Sequence, residues 1–455
     1  MIGAMLVKNR KQLLSHGNKK GRKIALDIVE HALKKLDSYN IVKKLVRVHG
    51  GKLFVGDLSY DLSKVGDIFV MGAGKGTLHI AKALNDVLGM RIKEGIIIEK
   101  RIKNERESRL GRIRVLRSRH PVPDRAGWKG AKEIWDALKS REKNDLVFFC
   151  VAGGCSALMP LPVEGVSLED KARTTELLLR SGATIDEINA VRNHISAIKG
   201  GRLALRAHPA EIINLIVVDE VAGLPWGPTV PDTSTFDDAI HVLRKYGLWD
   251  KVPTSVRDHL KRSDLKMETP KPESFKEVKF HNFLLADIKT ACEAAKERAE
   301  EIGLNSQILS TVLEGESKDV GFVLAGIAKE VEKYGRPLNP PCVLIAGGET
   351  TVTIEGKAGE GGRNQELAAA FSTKIAGNRR IAIAAVNTDG TDGLTEVAGG
   401  MADGYSVERA RELGMDVSVE IRRHNTGKLM KRLKDAIITG PTGTNVMDLI
   451  VIVVV

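Results

Sequence analysis

The chain has 455 residues, 42% hydrophobic and 28% charged, with a formal net charge of +12 at pH 7. This length predicts two to three domains with sizeable cores, and the composition excludes wholesale disorder. No apolar stretch reaches bilayer-spanning length, and residues 1–23 lack an apolar block of signal-peptide size, so a soluble cytoplasmic protein with no membrane partner is expected.

Residues 22–37 place Ile24, Ala25, Ile28, Val29, Ala32, Leu33 and Leu36 on one face, which predicts an amphipathic helix. A strand is expected at Leu53–Val55. The apolar run Asp67–Met71 then meets Gly72-Ala73-Gly74-Lys75-Gly76-Thr77, and helical spacing follows to Leu88. Strand, tight turn and helix are expected. Glycine lets the backbone turn and approach a ligand, and a helix start directs unpaired N–H groups outward. With Lys75 added, the turn suits a phosphate or carboxylate. It is neither a Walker A loop nor a dinucleotide turn, because Phe69 and Thr77 occupy positions where those patterns need glycine.

Strands at Gly95–Ile98 and Ile113–Leu116 follow, the second entering a stiff turn with Pro121, Pro123 and a helix-capping Asp124. His120 in that turn is either a ligand group or structural. The strand Asp145–Val151 empties into Ala152-Gly153-Gly154-Cys155-Ser156. Ligands of open α/β sheets bind outside the carboxyl ends of strands, so the two Gly-rich loops are expected at one crevice. Ser156 lacks a nucleophile elbow and reads as a hydrogen-bonding group.

Ser167–Asp170 opens a helix that closes at Gly182. Between 185 and 202, Ile188, Val191 and Ile195 form a buried stripe, leaving Asn189, Arg192 and Lys199 on other faces. Arg192, Lys199 and Arg202 together offer charge for a polyphosphate. The strand Ile212–Val218 delivers Asp219-Glu220, suited to Mg²⁺ or to general-base work. Ser234–Asp237 caps the next helix. The polar, proline-containing segment 249–279 sets the expected boundary, giving domains 1–265 and 278–455.

The second half predicts strands at Asn282–Ala286, Ser306–Leu309, Cys342–Ala346, Thr351–Ile354 and Ile381–Val386, and a terminal strand. Helices are expected over 287–302, 319–334 and from Arg363. The strand ends present Gly348-Glu349 and Asn387-Thr388-Asp389. Both halves therefore read as layered α/β domains, the first Rossmann-like, the second smaller. Cys150, Cys155, Cys292 and Cys342 form no C-x-x-C pair, so neither a disulfide nor a structural metal is expected. The basic segment 100–119 has almost no aromatics, which argues against a nucleic-acid partner. Only three glutamines accompany abundant Lys, Arg and Glu, a composition suited to heat adaptation.

Several stretches resemble the glycerate kinases that phosphorylate the 2-hydroxyl, whose C-terminal part is called the MOFRL domain. They are GAGKGT at 72–77, HPVPD at 120–124, GGCSAL at 153–158, the run 177–204, GPTVPD at 227–232, GGETTVTI at 347–354, GGRNQEL at 361–367, TDGTDG at 388–393 and TGPTGTNVMDL at 439–449. The resemblance implies ATP-dependent conversion of D-glycerate to 2-phosphoglycerate with Mg²⁺ or another divalent cation. It also implies two α/β domains with an active site in the cleft between them. Lys75 and Arg363 match residues important for substrate binding and catalysis in that family. Asp219 and Asp389 are the candidates for metal ligand and base. Gly74, Gly153, Gly154, Ser156, Asn189, Arg192, Lys199, Glu349 and Asn364 are the candidate substrate and nucleotide contacts. Other readings are a kinase or hydroxypyruvate-linked enzyme for a different hydroxy acid, and a basic nucleic-acid-binding module. The oligomeric state is left open, a homodimer included.

Overall fold

The computed structural model describes residues 5–101, 107–120, 122–218, 227–354 and 356–455. The described chain divides into two compact units. One holds residues 38–216 and 227–285, the other residues 5–37, 217–218 and 286–455. The division differs from an expected split at 265–278, because the N-terminal helix belongs with the C-terminal part. Among the described residues no helix is long and apolar enough to cross a membrane.

The unit of residues 38–285 begins with an antiparallel meander, β1 (Val46–His49), β2 (Lys52–Val55) and β3 (Leu58–Asp61). Its main sheet contains β4 (Ile68–Ala73), β5 (Ile92–Lys100), β6 (Ser108–Leu110), β7 (Ile113–Ser118), β8 (Leu146–Val151), β9 (Glu211–Val217) and β10 (Phe280–Ala286). The order is β10-β9-β8-β4-β5-β7-β6. From β9 to β7 all neighbours are parallel, and β6 is antiparallel at the edge. β4 and β8 are buried along their whole length, which is why they read as continuous apolar runs. The chain steps from β4 outward to β5 and β7, then returns to the other side of β4 as β8. The strand order therefore reverses between β4 and β8.

β10 was expected to open the second domain but joins this sheet. Ile212 N donates to Lys279 O at 2.9 Å and Val218 N to Ala286 O at 3.0 Å, the advancing register of a parallel neighbour. The helix after Pro231 is capped one residue later than expected. Thr235 and Asp238 form its capping box, while Ser234 bonds Asp232.

The other unit carries β11 (Asn305–Leu313), β12 (Cys342–Gly348), β13 (Ile381–Asn387), β14 (Gly399–Asp403), β15 (Ala436–Ile437) and β16 (Asp448–Val454). The order is β11-β12-β16-β13-β14-β15. β16 runs antiparallel to both β12 and β13, and Asp448 is in register with Gly348 on one side and Asn387 on the other. The carboxyl ends of β12 and β13 thus flank the amino end of β16. The expected strand Thr351–Ile354 does not form. Thr351 makes one isolated bridge to Glu316, and Thr353 N is held by the Glu316 carboxylate. Alternation there marks an edge segment tied by a side chain.

A buried ionic network fixes the N-terminal helix Lys19–Lys35 in this unit. The wholly buried Arg22 guanidinium pairs with Asp403 and, at 2.7 Å, with Asp435. Asp435 also receives His16 at 2.7 Å and Arg409 at 3.2 Å. These carboxylates lie near the far end of the sequence, so the membership of residues 5–37 depends on contacts that local pattern does not show. All four cysteines are buried free thiols; Cys150 in β8 and Cys342 in β12 pack as small core residues.

Candidate active site

The two Gly-rich loops meet where the strand order reverses, the place at which open α/β sheets bind ligands. Lys75 N donates to Gly153 O at 2.8 Å. Gly74 has φ +144°, and a Cβ there would stand 2.4 Å from Ala152 O, so only glycine lets the loops approach this closely. Gly154 plays a second part. A side chain on it would strike the His120 ring at 2.7 Å, which makes His120 the wall of the second loop.

The start of the helix Thr77–Leu88 is already served by an internal carboxyl group. Glu99, at the end of β5, accepts from Gly76 N at 3.1 Å, Leu78 N at 3.1 Å and Lys100 N at 3.0 Å. The expectation that these N–H groups face a ligand is therefore corrected. Burial raises the Glu99 carboxyl above its ordinary value even against these three bonds. The loop offers an external anion the charge of Lys75 rather than the helix end.

The second loop is joined to the segment 185–202. Lys199 Nζ donates to Ser156 Oγ at 2.7 Å and to Asn189 Oδ1 at 3.2 Å. Three sequence-predicted residues are thus brought together. The helix Ile185–His194, started by a Thr184–Glu187 capping box, carries Asn189 and Arg192. Its carboxyl end is finished by side chains. Lys171 Nζ reaches Arg192 O and Ile195 O, Arg202 reaches Asn193 O at 2.9 Å, and His259 lies 2.9 Å from His194 O. Arg202 therefore caps a helix rather than joining the polyphosphate charge. Burial, and after it the like charges of Lys199, Arg192 and Arg202, holds Lys171 well below a lysine's ordinary value. The cations face one another around this helix end, an arrangement that favours an anionic ligand.

In the other unit the helix Arg363–Lys374 starts over the ends of β12, β13 and β16. Arg363 Nε lies 2.8 Å from Asp448 Oδ2, and its Nη1 pairs with Glu349. Asn364 Nδ2 donates to Asp448 at 2.8 Å and to Asp392 at 3.3 Å. Asp392 also accepts from Asn364 N and Gln365 N, at 3.1 and 2.9 Å. A Cβ on Gly362 would stand 2.3 Å from the Asp392 carboxyl carbon, so this glycine admits the cap. Burial pushes Asp448 up to about 7, outweighing the pull of Arg363, and the charge of Asp392 adds to the rise. The Arg363 guanidinium is raised despite its burial by Asp448 and Glu349. Asp389 is fixed in the same loop cluster, its Oδ1 accepting from Thr391 N and Oγ1, both at 2.7 Å.

Residues 24–261 match a family model described as a domain of unknown function, DUF4147, and residues 342–448 match the MOFRL family. A glycerate 2-kinase of Pyrococcus horikoshii is 42% identical over 95% of this chain and 97% of its own length. A D-glycerate 2-kinase of Thermotoga maritima is 38% identical over 84% of this chain and 90% of its own length. The chain belongs to the glycerate 2-kinase family. A crystal structure of glycerate kinase from Thermotoga maritima, 35% identical, superposes with a TM-score of 0.81 over 95% of this chain and 99% of that one.

Within this glycerate 2-kinase fold the motif residues fall into two sets. Gly74, Lys75, Gly153, Gly154, Ser156, Asn189 and Lys199 line the reversal point of the parallel sheet. Glu349, Arg363, Asn364 and Asp389 gather at the strand ends of the mixed sheet. Asp219 lies outside the described residues. Sequence reasoning missed Glu99, Lys171, Asp392 and Asp448. Asp448 was signalled by a carboxylate opening a wholly apolar strand, and Lys171 by a lysine in the stripe with Thr174 and Leu178, all three buried. Glu99 had no comparable signal, since an acidic residue at a strand end is commonplace.

Proposed function

We propose that this protein transfers the γ-phosphoryl group of ATP to the 2-hydroxyl of D-glycerate, giving 2-phosphoglycerate and ADP. The observation that carries the reading is the paired service of the two switch-point loops by lysines, Lys75 in the first and Lys199 bonded to Ser156 in the second. It agrees with the names of the Pyrococcus horikoshii and Thermotoga maritima relatives. Phosphoryl transfer needs positioning and charge neutralisation more than covalent catalysis.

Lys75 holds an anionic group of a ligand at the first loop, and Arg363 holds one at the strand ends of the mixed sheet. Arg363 is suited to this because Asp448 and Glu349 fix its plane, so its fork is oriented before the ligand arrives. The loop 153–156 and the Asn189–Lys199 pair receive part of a ligand. The 2-hydroxyl oxygen attacks the γ-phosphorus as the bond to the bridging oxygen of ADP breaks. The hydroxyl proton passes to a carboxylate, Asp219 or Asp389. A divalent cation such as Mg²⁺ neutralises triphosphate charge when bound. Asp389 fits it, being a hard oxygen donor held rigidly by Thr391.

A steady-state assay at elevated temperature tests the reading, since the composition supports a heat-adapted enzyme. ADP release is measured with D-glycerate, L-glycerate and other 2-hydroxy acids. Preference for D-glycerate supports the proposal. NADH-dependent reduction of hydroxypyruvate without ATP use overturns it.

A further inference from the structure

The helices Lys19–Lys35 and Ile288–Glu301 pack together in the unit that holds both termini. On the first helix Asp27, His31 and Lys35 recur every four residues and therefore share one face. The outer two are ion-paired across the helix contact. Arg298 lies 2.9 Å from Asp27, and Lys35 lies 3.0 Å from Glu297. The middle residue is different. His31 Nε2 is buried without a hydrogen-bond partner. Across from it, Glu297 and Glu301 stand one helical turn apart. One ring nitrogen of His31 and one oxygen from each carboxylate lie within 4.8 Å of one another.

We propose that His31, Glu297 and Glu301 form a binding site for a divalent transition-metal ion of the Zn²⁺ class, separate from the phosphoryl-transfer site. An imidazole with two carboxylates suits Zn²⁺, Co²⁺ or Ni²⁺ better than Mg²⁺, which favours all-oxygen surroundings. Ligand atoms around such an ion stand closer than 4.8 Å, a difference that rotation of two long, partly exposed glutamates covers. The ion displaces the Lys35–Glu297 contact and the 2.9 Å Arg298–Glu301 contact. Exposed pairs of this kind contribute little to stability.

The position gives the site a purpose. The chain leaves this unit at residue 37, re-enters it at residues 217–218, and returns to it for good at residue 286. An ion joining residue 31 to residues 297 and 301 ties the departing and returning helices together. It closes the loop that contains the whole parallel sheet. A cross-link that closes a long loop restricts the unfolded chain strongly, and an ion that binds only the folded form raises the unfolding temperature with its concentration.

The test uses the full-length protein, titrated with Co²⁺ and followed by visible absorbance, then unfolded thermally in EDTA, Zn²⁺ or Mg²⁺. The proposal predicts saturable one-to-one Co²⁺ binding. It also predicts that Zn²⁺ raises the unfolding midpoint by about 2 °C or more over EDTA, an effect that Mg²⁺ does not reproduce. His31→Ala and the double variant Glu297→Gln/Glu301→Gln each abolish both signals, while their midpoints in EDTA stay close to that of the parent. No Co²⁺ signal, no Zn²⁺-dependent rise, or a rise that persists in His31→Ala overturns the site.

Discussion

Arg363 and Asp448 stand 2.8 Å apart at the ends of their helix and strand, and the carboxylate of this pair is buried with a pKa pushed up to about 7. Ionised Asp448 orients Arg363; protonated Asp448 orients it weakly. The catalytic efficiency of the parent is therefore expected to fall as pH drops through about 7. Asp448→Asn is expected to lose about 100-fold in kcat and to flatten that limb, and a pH–rate profile of both proteins checks it. The stability effect has the opposite sign. A carboxyl raised in the folded state favours the native form below its unfolded pKa, and this contribution is lost as pH rises through about 7.

Glu99 is the internal counterpart of a bound anion at the first loop. Glu99→Ala leaves three half-buried N–H donors without their acceptor, and a loss of about 1–3 kcal/mol in unfolding free energy is expected. KM should rise with it, because the Lys75 loop loses its support. Denaturant unfolding and steady-state kinetics on the same preparation check both effects.

Much of this was legible in the chain, and the limits have physical causes. The Gly-Lys-Gly turn and the Gly-Gly-Cys-Ser turn follow continuous apolar runs, so strand, loop and expected crevice were all readable. Which strands adjoin was not readable. β10 reads like the opening of a new domain, yet backbone bonds from Ile212 and Val218 place it beside β9. The helix 19–35 shows its apolar stripe plainly. What the stripe does not show is that Arg22 on the same helix is neutralised by carboxylates at 403 and 435. Glu99 was invisible for the same reason, since its partners Gly76 and Leu78 come from a different strand–helix connection.

The Arg22 network supplies a prediction about stability. Removing one member of a buried ion pair leaves the other charge uncompensated, so Asp435→Ala is expected to cost about 3–5 kcal/mol. Despite its burial, Asp435 is held below its ordinary value by Arg22, with His16 and Arg409 assisting. A depressed carboxylate contributes stability above its unfolded pKa and loses it as pH falls through the folded one. The contribution should persist at pH 5 and disappear only under strongly acidic conditions. Unfolding series from pH 7 to pH 2 on parent and variant measure this, and the gap between them should close at the acid end.

Lys199 joins the Gly-Gly loop to the helix that carries Asn189. Lys199→Ala is expected to lower kcat/KM by about 100-fold. Ser156→Ala is expected to cost less, because the ammonium group keeps its charge and its bond to Asn189. Lys199→Arg should not restore activity, since a planar fork does not replace a compact ammonium group in this buried position. The three variants are compared under identical substrate concentrations.

The account rests on phosphoryl transfer to one hydroxyl of glycerate, and ³¹P NMR of the product reports reaction and position together. The protein is incubated with ATP, Mg²⁺ and D-glycerate at elevated temperature. The account predicts a 2-phosphoglycerate resonance growing with that of ADP, and its near-disappearance with Lys75→Ala. A 3-phosphoglycerate resonance, no transfer at all, or near-normal turnover by Lys75→Ala would contradict it.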